Sequence, residues 1–354
     1  MATSLNDIRR KIDALDARLV QLLSVRARLA QQAWQAKGGT AAYKPEREAQ
    51  VLRRVRELNK GPLSGAALNR LFTEIMSACR ALEDQLAVAY LGPAGTFSEE
   101  AVIRHFGSAT GSRPHASIDD VFRAVETGAA GYGVVPVENS TEGAVGRTLD
   151  LLLNTSARIC GEVNLPVRQC LMSNARSRGA IRTVYSHTQS LGQCQQWLAR
   201  HLPDVERIAV VSNAEAARLA GKDRSAAAIA SRTAATLYGL KLLARNIEDD
   251  PKNTTRFAVI GAESAAPSGR DKTSLILSTR NVPGAVHDLL TPLAKHGVSM
   301  TRLESRPART GRWEYVFYID IEGHQLEPRV ARALAALGRK AAYLKVLGSY
   351  PVAS

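Results

Sequence analysis

The stretch LNDIRRKIDALDARLVQLLSVRARLAQQAWQA, residues 5–36, places Leu5, Ile8, Ile12, Leu15, Leu19, Leu22 and Leu29 at alternating steps of three and four, with Arg26 standing where a leucine belongs. That spacing predicts one long helix presenting an apolar seam to a partner. A guanidinium on such a seam meets an anion or stays buried and unpaired, which is costly, unless it snorkels to the edge. More cations share the stripe. Lys37 follows, Arg9 flanks Ile8, and a second helix opening at Pro45 puts Arg47, Val51, Val55 and Leu58 on one face with Glu48 beside them. Several cations around one apolar interface describe a pocket for a small, multiply charged carboxylate, arginine supplying the fork geometry. Arg9 and Arg26 stand ~25 Å apart on a helix rising about 1.5 Å per residue. No small metabolite spans that gap, so if both touch one ligand, Arg9 comes from a second copy; an intertwined dimer is expected.

Outward from this helix, Gly38-Gly39 ends it, and the second helix occupies Pro45–Leu58 up to the stop Asn59-Lys60-Gly61-Pro62. A third begins near Ser64 with Leu68, Leu71, Ile75, Leu82 and Leu86 as its seam. At Val88 the pattern changes to short apolar strands alternating with helices. Val88–Leu91 is a strand, Gly92-Pro93-Ala94-Gly95 a turn, and Thr96-Phe97-Ser98-Glu99 a capped helix start. Gly133–Val137 repeats the form and runs into Glu138-Asn139-Ser140-Thr141-Glu142-Gly143; further strands are expected at Thr183–Ser186, Ile208–Val211, Ala226–Ala230 and Phe257–Ile260. Such alternation predicts an α/β domain, two lobes around a cleft, with ligands where strand ends meet helix N-termini. Beyond a linker at Ala262–Gly269, strands at 273–279, 298–305, 313–321 and 342–349 with helices at 284–296 and 326–338 give βαββαβ, the ferredoxin-like arrangement. The chain is thus expected to be multidomain: all-α over 1–87, α/β over 88–268, and α+β over 271–354.

The 354 residues carry a net charge of +14, which invites a nucleic-acid reading. Residues 1–87 hold 15 Lys and Arg against 9 Asp and Glu, residues 88–269 hold 19 against 17, and residues 270–354 hold 13 against 7. The excess sits in two separate blocks, and aromatic content is 5%; anionic small molecules account for it, and no nucleic-acid partner is expected. Residues 1–7 show no basic-then-apolar leader and no apolar run reaches membrane-spanning length, so a cytoplasmic protein with no membrane contact is expected. Cys79, Cys160, Cys170 and Cys194 lack paired metal spacing and read as reduced, mostly structural thiols, with no metal and no cofactor expected.

Taken in order, Gly92–Ser98, Pro136–Gly143, Tyr185-Ser186-His187, Thr255-Arg256-Phe257 and Glu304-Ser305-Arg306-Pro307 make the whole chain resemble the bifunctional chorismate mutase–prephenate dehydratases of phenylalanine biosynthesis, which end in an ACT regulatory domain and whose dehydratase part is periplasmic-binding-protein-like. The resemblance implies rearrangement of chorismate to prephenate, then decarboxylation and dehydration to phenylpyruvate, with phenylalanine as feedback effector and a homodimer or tetramer as the assembly. For the mutase it implies that Arg9 and Arg26 clamp carboxylates, Arg47 helps bind substrate, Lys37 donates to the ether oxygen and Glu48 binds the ring hydroxyl. Cys79 and Glu83 stand where relatives carry Ser and Gln; a carboxyl donates only when protonated, so Glu83 is expected to be held protonated by burial. For the dehydratase it implies Thr255 at the leaving hydroxyl, with Glu138, Asn139, Ser186 and Gln193 around the ring and Glu138 as a possible proton donor. Thr96, Phe97, Ser98, Ser140 and Thr141 lie where amides at helix starts suit carboxylates, and Arg256 and Phe257 complete the binding set. In the last unit, Gly284-Ala285-Val286-His287 and Glu304-Ser305-Arg306-Pro307 are implied as the phenylalanine site between two ACT domains. Three rivals stand beside this: a two-lobed sensor without chemistry, a dehydratase that also accepts arogenate, and prephenate dehydrogenase. The last lacks its nucleotide fingerprint, since Gly131-Tyr132-Gly133-Val134-Val135-Pro136 has proline at the third glycine.

Overall fold

The computed structural model describes residues 4–36, 38, 43–83, 85–279, 282–307 and 315–353. Three helices come first: α1 (Leu5–Ala36), α2 (Pro45–Leu58) and α3 (Gly65–Ala81), the last capped by the Ser64 hydroxyl, which accepts from the Ala67 amide. α1 buries none of its residues, and its seam from Leu5 through Leu29 is exposed along its length. The helix is one turn short of covering the third seam's expected end: α3 stops at Ala81, so Leu82 and Leu86 fall outside it.

The α/β part consists of two sheets. Lobe one contains β1 (Ala87–Leu91), α4 (Phe97–Phe106), β2 (Gly111–His115), α5 (Ile118–Glu126), β3 (Tyr132–Asn139), β4 (Gly143–Ala144), α6 (Gly146–Asn154) and β5 (Arg158–Pro166). Lobe two contains β6 (Cys170–Ser173), β7 (Thr183–Ser186), α7 (Thr188–Gln193), α8 (Gln195–His201), β8 (Glu206–Ala209), α9 (Asn213–Ala220), β9 (Ala226–Ala230), α10 (Arg232–Leu237) and β10 (Lys241–Arg245). The chain then returns to lobe one as β11 (Thr254–Gly261). The strand orders are β2-β1-β3-β11-β5, with β4 on β3, and β10-β6-β9-β7-β8. In each sheet a parallel group is extended by antiparallel strands. The two crossings between lobes lie side by side, the Val167 amide donating to the Asn253 carbonyl at 2.9 Å. β9 is Ala-Ala-Ala-Ile-Ala, fully buried, and its small side chains let Ala216, Ala217 and Ala220 of α9 pack closely against it.

The last unit runs β12 (Asp271–Ser278), α11 (Ala285–Lys295), β13 (Met300–Pro307), β14 (Tyr315–Glu322), α12 (Pro328–Lys340) and β15 (Tyr343–Pro351), an antiparallel sheet of order β13-β14-β12-β15. It shares a core with lobe one: Ile276, Tyr318, Leu347 and Tyr350 pack with Val137, Leu149, Leu152 and Ile159. Lys345 reaches the C-terminal end of α6, donating to the carbonyls of Leu152, Leu153 and Thr155 at 3.0, 3.0 and 2.6 Å, where a cation offsets the helix dipole.

The expected α, α/β, βαββαβ succession is observed. The 262–270 segment is packed rather than loose: Arg53 donates to the Ser268 carbonyl at 3.1 Å, and the His324 ring lies 3.0 Å from the Ala265 carbonyl. β2, β4, β5, β6 and β10 lie outside the strands expected from the sequence. β5 hides because Glu162 and Asn164 interrupt its apolar run, and Glu162 is tolerated inside because Arg256 and Lys272 pair with it. Among the described residues no helix is long and apolar enough to cross a membrane.

Candidate active sites and the contacts behind them

At the front, α1, α2 and α3 bring Arg26, Glu48 and Cys79 together. Arg26 is half-buried and donates to the Cys79 sulfur at 3.1 Å. Glu48 is paired with Arg80, whose guanidinium also donates to the Phe106 carbonyl at the end of α4. Burial pushes the Glu48 carboxyl up, while Arg80 and then Arg26 pull it down. Arg9 and Arg47 are exposed, Arg9 nearly five helical turns before Arg26 on α1 and Arg47 directly before Glu48 on α2. Glu83 is half-buried in the turn after α3 rather than on the helix, and Lys37 lies outside the described residues. Glu48 also borders an open cleft of about 820 Å³ lined by α2, α3, α4, β5 and the C-terminal residues.

In the α/β part the sharpest constellation sits where the lobes join. Asn139 ends β3, and its cross-strand partner on β11 is Thr255. The Asn139 side-chain oxygen accepts from the Thr141 amide (3.1 Å), the Thr141 hydroxyl (2.7 Å) and the Glu142 amide (3.2 Å). The amide nitrogen is thereby aimed the other way, donating to Thr255 Oγ1 at 2.9 Å and to the Asn253 side-chain oxygen at 2.8 Å. Ser140 exchanges bonds with Thr254, its hydroxyl accepting from the Thr254 amide at 3.0 Å. Ser140 and Thr141 therefore brace the pair. After β1, which pairs with β3, the Gly92–Ser98 loop leads into α4; Gly95 has φ +87°, and a side chain there would meet Ala234 of lobe two at 3.3 Å. The Ser231 hydroxyl donates to the Gly95 carbonyl at 3.0 Å, tying the lobes at this point. Thr96 caps α4 without a side-chain cap bond, Phe97 packs against the core, and Ser98 is buried.

Several expected contacts are corrected by strand alternation, which sends successive side chains to opposite faces. Glu138 lies across from Arg256, on the face away from Asn139 and Thr255, and pairs with Arg302 of β13 at 2.7 Å. It is turned to the last domain and is withdrawn as a ring contact or proton donor. Arg256 bonds Glu162 (3.1 Å), Asp320 (2.6 Å) and the Tyr350 hydroxyl (3.0 Å), so it joins domains instead of binding substrate. After the bulge between Arg256 and Phe257, the Phe257 ring is buried in the core with Tyr90 and Phe106. Ser186 is fully buried, its hydroxyl placed between the Asn213 side-chain oxygen (2.9 Å) and the Ile229 carbonyl (2.8 Å); it orders the lobe and has no access to a ligand. His187 caps α7.

Sequence reasoning missed Gln169 and Asn253. Gln169 is buried, donates to Ser190 Oγ at 2.9 Å and to the predicted Gln193 at 3.3 Å, and its oxygen has no partner among the described residues. The Asn253 amide nitrogen is likewise buried and without a partner among the described residues. Its place two residues before Thr255 was the available signal.

In the last domain Gly284 takes φ +77° at the start of α11, a conformation strained for any side chain although the space beside it is open. Ala285 is half-buried, and Val286 and His287 are exposed. Along edge strand β13, Leu303, Ser305 and Pro307 are exposed, while Arg302, Glu304 and Arg306 are half-buried on the other side. Arg306 pairs with Asp150 of α6 at 3.2 Å and lies against Gly146, so it is reassigned from effector contact to interdomain contact.

Family models match in the same order: chorismate mutase type II over residues 8–84, prephenate dehydratase over 88–265 and the ACT domain over 273–339. The chain is 51% identical to the bifunctional chorismate mutase/prephenate dehydratase of Stutzerimonas stutzeri, covering 99% of both chains, and 52% identical to that of Neisseria gonorrhoeae, covering 98% of this chain and 96% of the relative. Among solved structures it is similar to the prephenate dehydratase of Arthrobacter aurescens in complex with L-Phe, with a TM-score of 0.70 and 33% identity over 75% of this chain and 90% of that one.

Proposed function

Because this chain belongs to the bifunctional chorismate mutase/prephenate dehydratase family, both activities are its own, and we propose the following division of the chemistry among its residues. The mutase reaction is a pericyclic rearrangement that needs no nucleophile, only a chair-like geometry held in place and charge stabilised at the ether oxygen. Arg26 clamps one carboxylate, Arg9 of a second copy another, Lys37 and Glu83 address the ether oxygen, and Glu48 accepts from the ring hydroxyl. The exposed seam of α1 supports an intertwined dimer, since a 32-residue helix that buries nothing in its own chain has its apolar face available to a partner. Sedimentation showing a monomer with full mutase turnover overturns that assembly.

In the dehydratase reaction the ring carboxylate leaves as carbon dioxide, its bonding electrons aromatise the ring, and the C–O bond breaks to release the hydroxyl. The observation that carries the assignment is the 2.9 Å bond from the Asn139 amide to Thr255 Oγ1. With its oxygen accepting from Asn139, Thr255 keeps its own proton for the departing oxygen, and the accepted bond polarises the hydroxyl. A threonine is too weak an acid to deliver that proton outright, so its role is a hydrogen bond that strengthens as negative charge builds. Aromatisation supplies the driving force.

The ACT domain receives phenylalanine and feeds back on the dehydratase. Two ion pairs support a physical link: Glu138–Arg302 and Arg256–Asp320 attach the back of β3 and β11 to β13 and β14, one residue away from Asn139 and Thr255. Purified protein supplied with chorismate should release phenylpyruvate, less so with phenylalanine present. No phenylpyruvate overturns the catalytic reading; release indifferent to phenylalanine overturns the feedback.

A further inference from the structure

We propose that Arg80 is a positioning residue for the mutase: anchored on the dehydratase domain, it holds the Glu48 carboxylate ionised and oriented for the substrate's ring hydroxyl. The inference rests on the reading of Glu48 as the hydroxyl acceptor. Arg80 is 6% exposed, and the two arms of its fork go to different domains, one to Glu48 on α2 and the other to the Phe106 carbonyl that ends α4. Its guanidinium carbon lies 5.5 Å from the centre of the Tyr43 ring, and the Tyr43 hydroxyl is 2.6 Å from His105 Nε2 of α4. Arg80 therefore has no rotational freedom left, and Glu48 inherits that fixity.

The charge balance gives the reason it is needed. Groups facing Glu48 are Arg80 from α3, Arg26 from α1, Tyr43 ahead of α2 and Tyr132 on β3, with His105 behind Tyr43. Burial holds both tyrosines neutral by raising their pKa values, and burial together with Arg80 keeps His105 uncharged. Among the described residues, Arg80 and Arg26 oppose the desolvation of Glu48. Once chorismate binds, Arg26 is committed to a substrate carboxylate, and Arg80 is the described cation left to keep Glu48 an acceptor. The mutase site is thus completed by a backbone carbonyl of the neighbouring domain.

The test is mutase and dehydratase kinetics of the full-length chain in Arg80→Met, Arg80→Lys and Glu48→Gln. Arg80→Met should lower mutase kcat/KM about tenfold at pH 7 and move the acid limb of its pH profile upward, activity returning as pH rises, with turnover of supplied prephenate unchanged. Arg80→Lys keeps the charge but not the two-armed brace, so the limb should stay while kcat/KM falls about fivefold. Wild-type mutase kinetics in Arg80→Met, beside an inactive Glu48→Gln, overturns the positioning role and leaves Glu48 in place. Should Arg80→Met lose dehydratase turnover too, Arg80→Lys decides, and a wild-type kcat/KM in it overturns the proposal. A fully active Glu48→Gln overturns the Glu48 reading and the proposal together.

Discussion

Replacing Arg302 with methionine cuts one of the ion pairs between the ACT sheet and the dehydratase strands. Arg302 makes a charge-assisted bond of 2.7 Å to Glu138, its side chain 11% exposed and that of Glu138 37%. Bonds of this kind are worth ~1.5–3 kcal/mol; since Glu138 is rewetted once released, the lower end applies. If that bond carries the difference between the two ACT states, its loss removes ~1.5 kcal/mol of coupling, about a tenfold change in the effector's influence. Phenylalanine inhibition of prephenate turnover should therefore weaken about tenfold in Arg302→Met. Without effector, dehydratase and mutase rates should stay within about twofold of wild type, because neither Asn139 nor Thr255 loses a partner. Coupling is reciprocal, so calorimetry should also find phenylalanine affinity less sensitive to a bound substrate analogue. An inhibition curve superimposable on wild type, in a variant with normal basal turnover, refutes the linkage.

Thr255→Val keeps the shape and removes the hydroxyl; prephenate turnover should fall ~10²–10³-fold, the usual loss for one transition-state donor, with chorismate turnover intact and Thr255→Ser largely active. Glu83→Gln puts an amide donor in place of the carboxyl and should keep mutase turnover, while Glu83→Ala should lower it; a fully active Glu83→Ala removes Glu83 from the chemistry. His105 is half-buried beside Tyr43, and its pKa is pushed down to about 4, chiefly by desolvation and then by the Arg80 charge. The unfolded chain titrates near 6.5, so the folded state binds fewer protons, and this stability is present above that value and lost as pH falls from about 6.5 toward 4. The whole window is worth ~3 kcal/mol, and urea midpoints measured from pH 7 to 5 should fall less steeply in His105→Gln.

What the chain announces and what it conceals divide along physical lines. α1 and α2 were legible to the residue because a 3.6-residue period, Pro45 and the Gly38 break act locally. The βαββαβ order was legible for the same reason. Asn139 and Thr255 could be read as parts of motifs, but their neighbours Glu138, Arg256 and Phe257 could not be assigned a face. The bulge at Arg256–Phe257 and the identity of whatever packs behind the sheet are set by tertiary structure. Arg302 and Arg80 carry no motif; their partners lie 164 and 32 residues away. Gln169 and Asn253 are isolated polar residues whose burial alone makes them notable.

The two central strands β3 and β11 are printed on both sides, with the Asn139–Thr255 pair on the obverse and the ion pairs to the ACT sheet on the reverse. Point substitutions can therefore retune either activity or feedback separately. Insertion or deletion of a single residue in either strand exchanges the sides and spoils both at once. Drift in composition is open to this region; drift in length is closed.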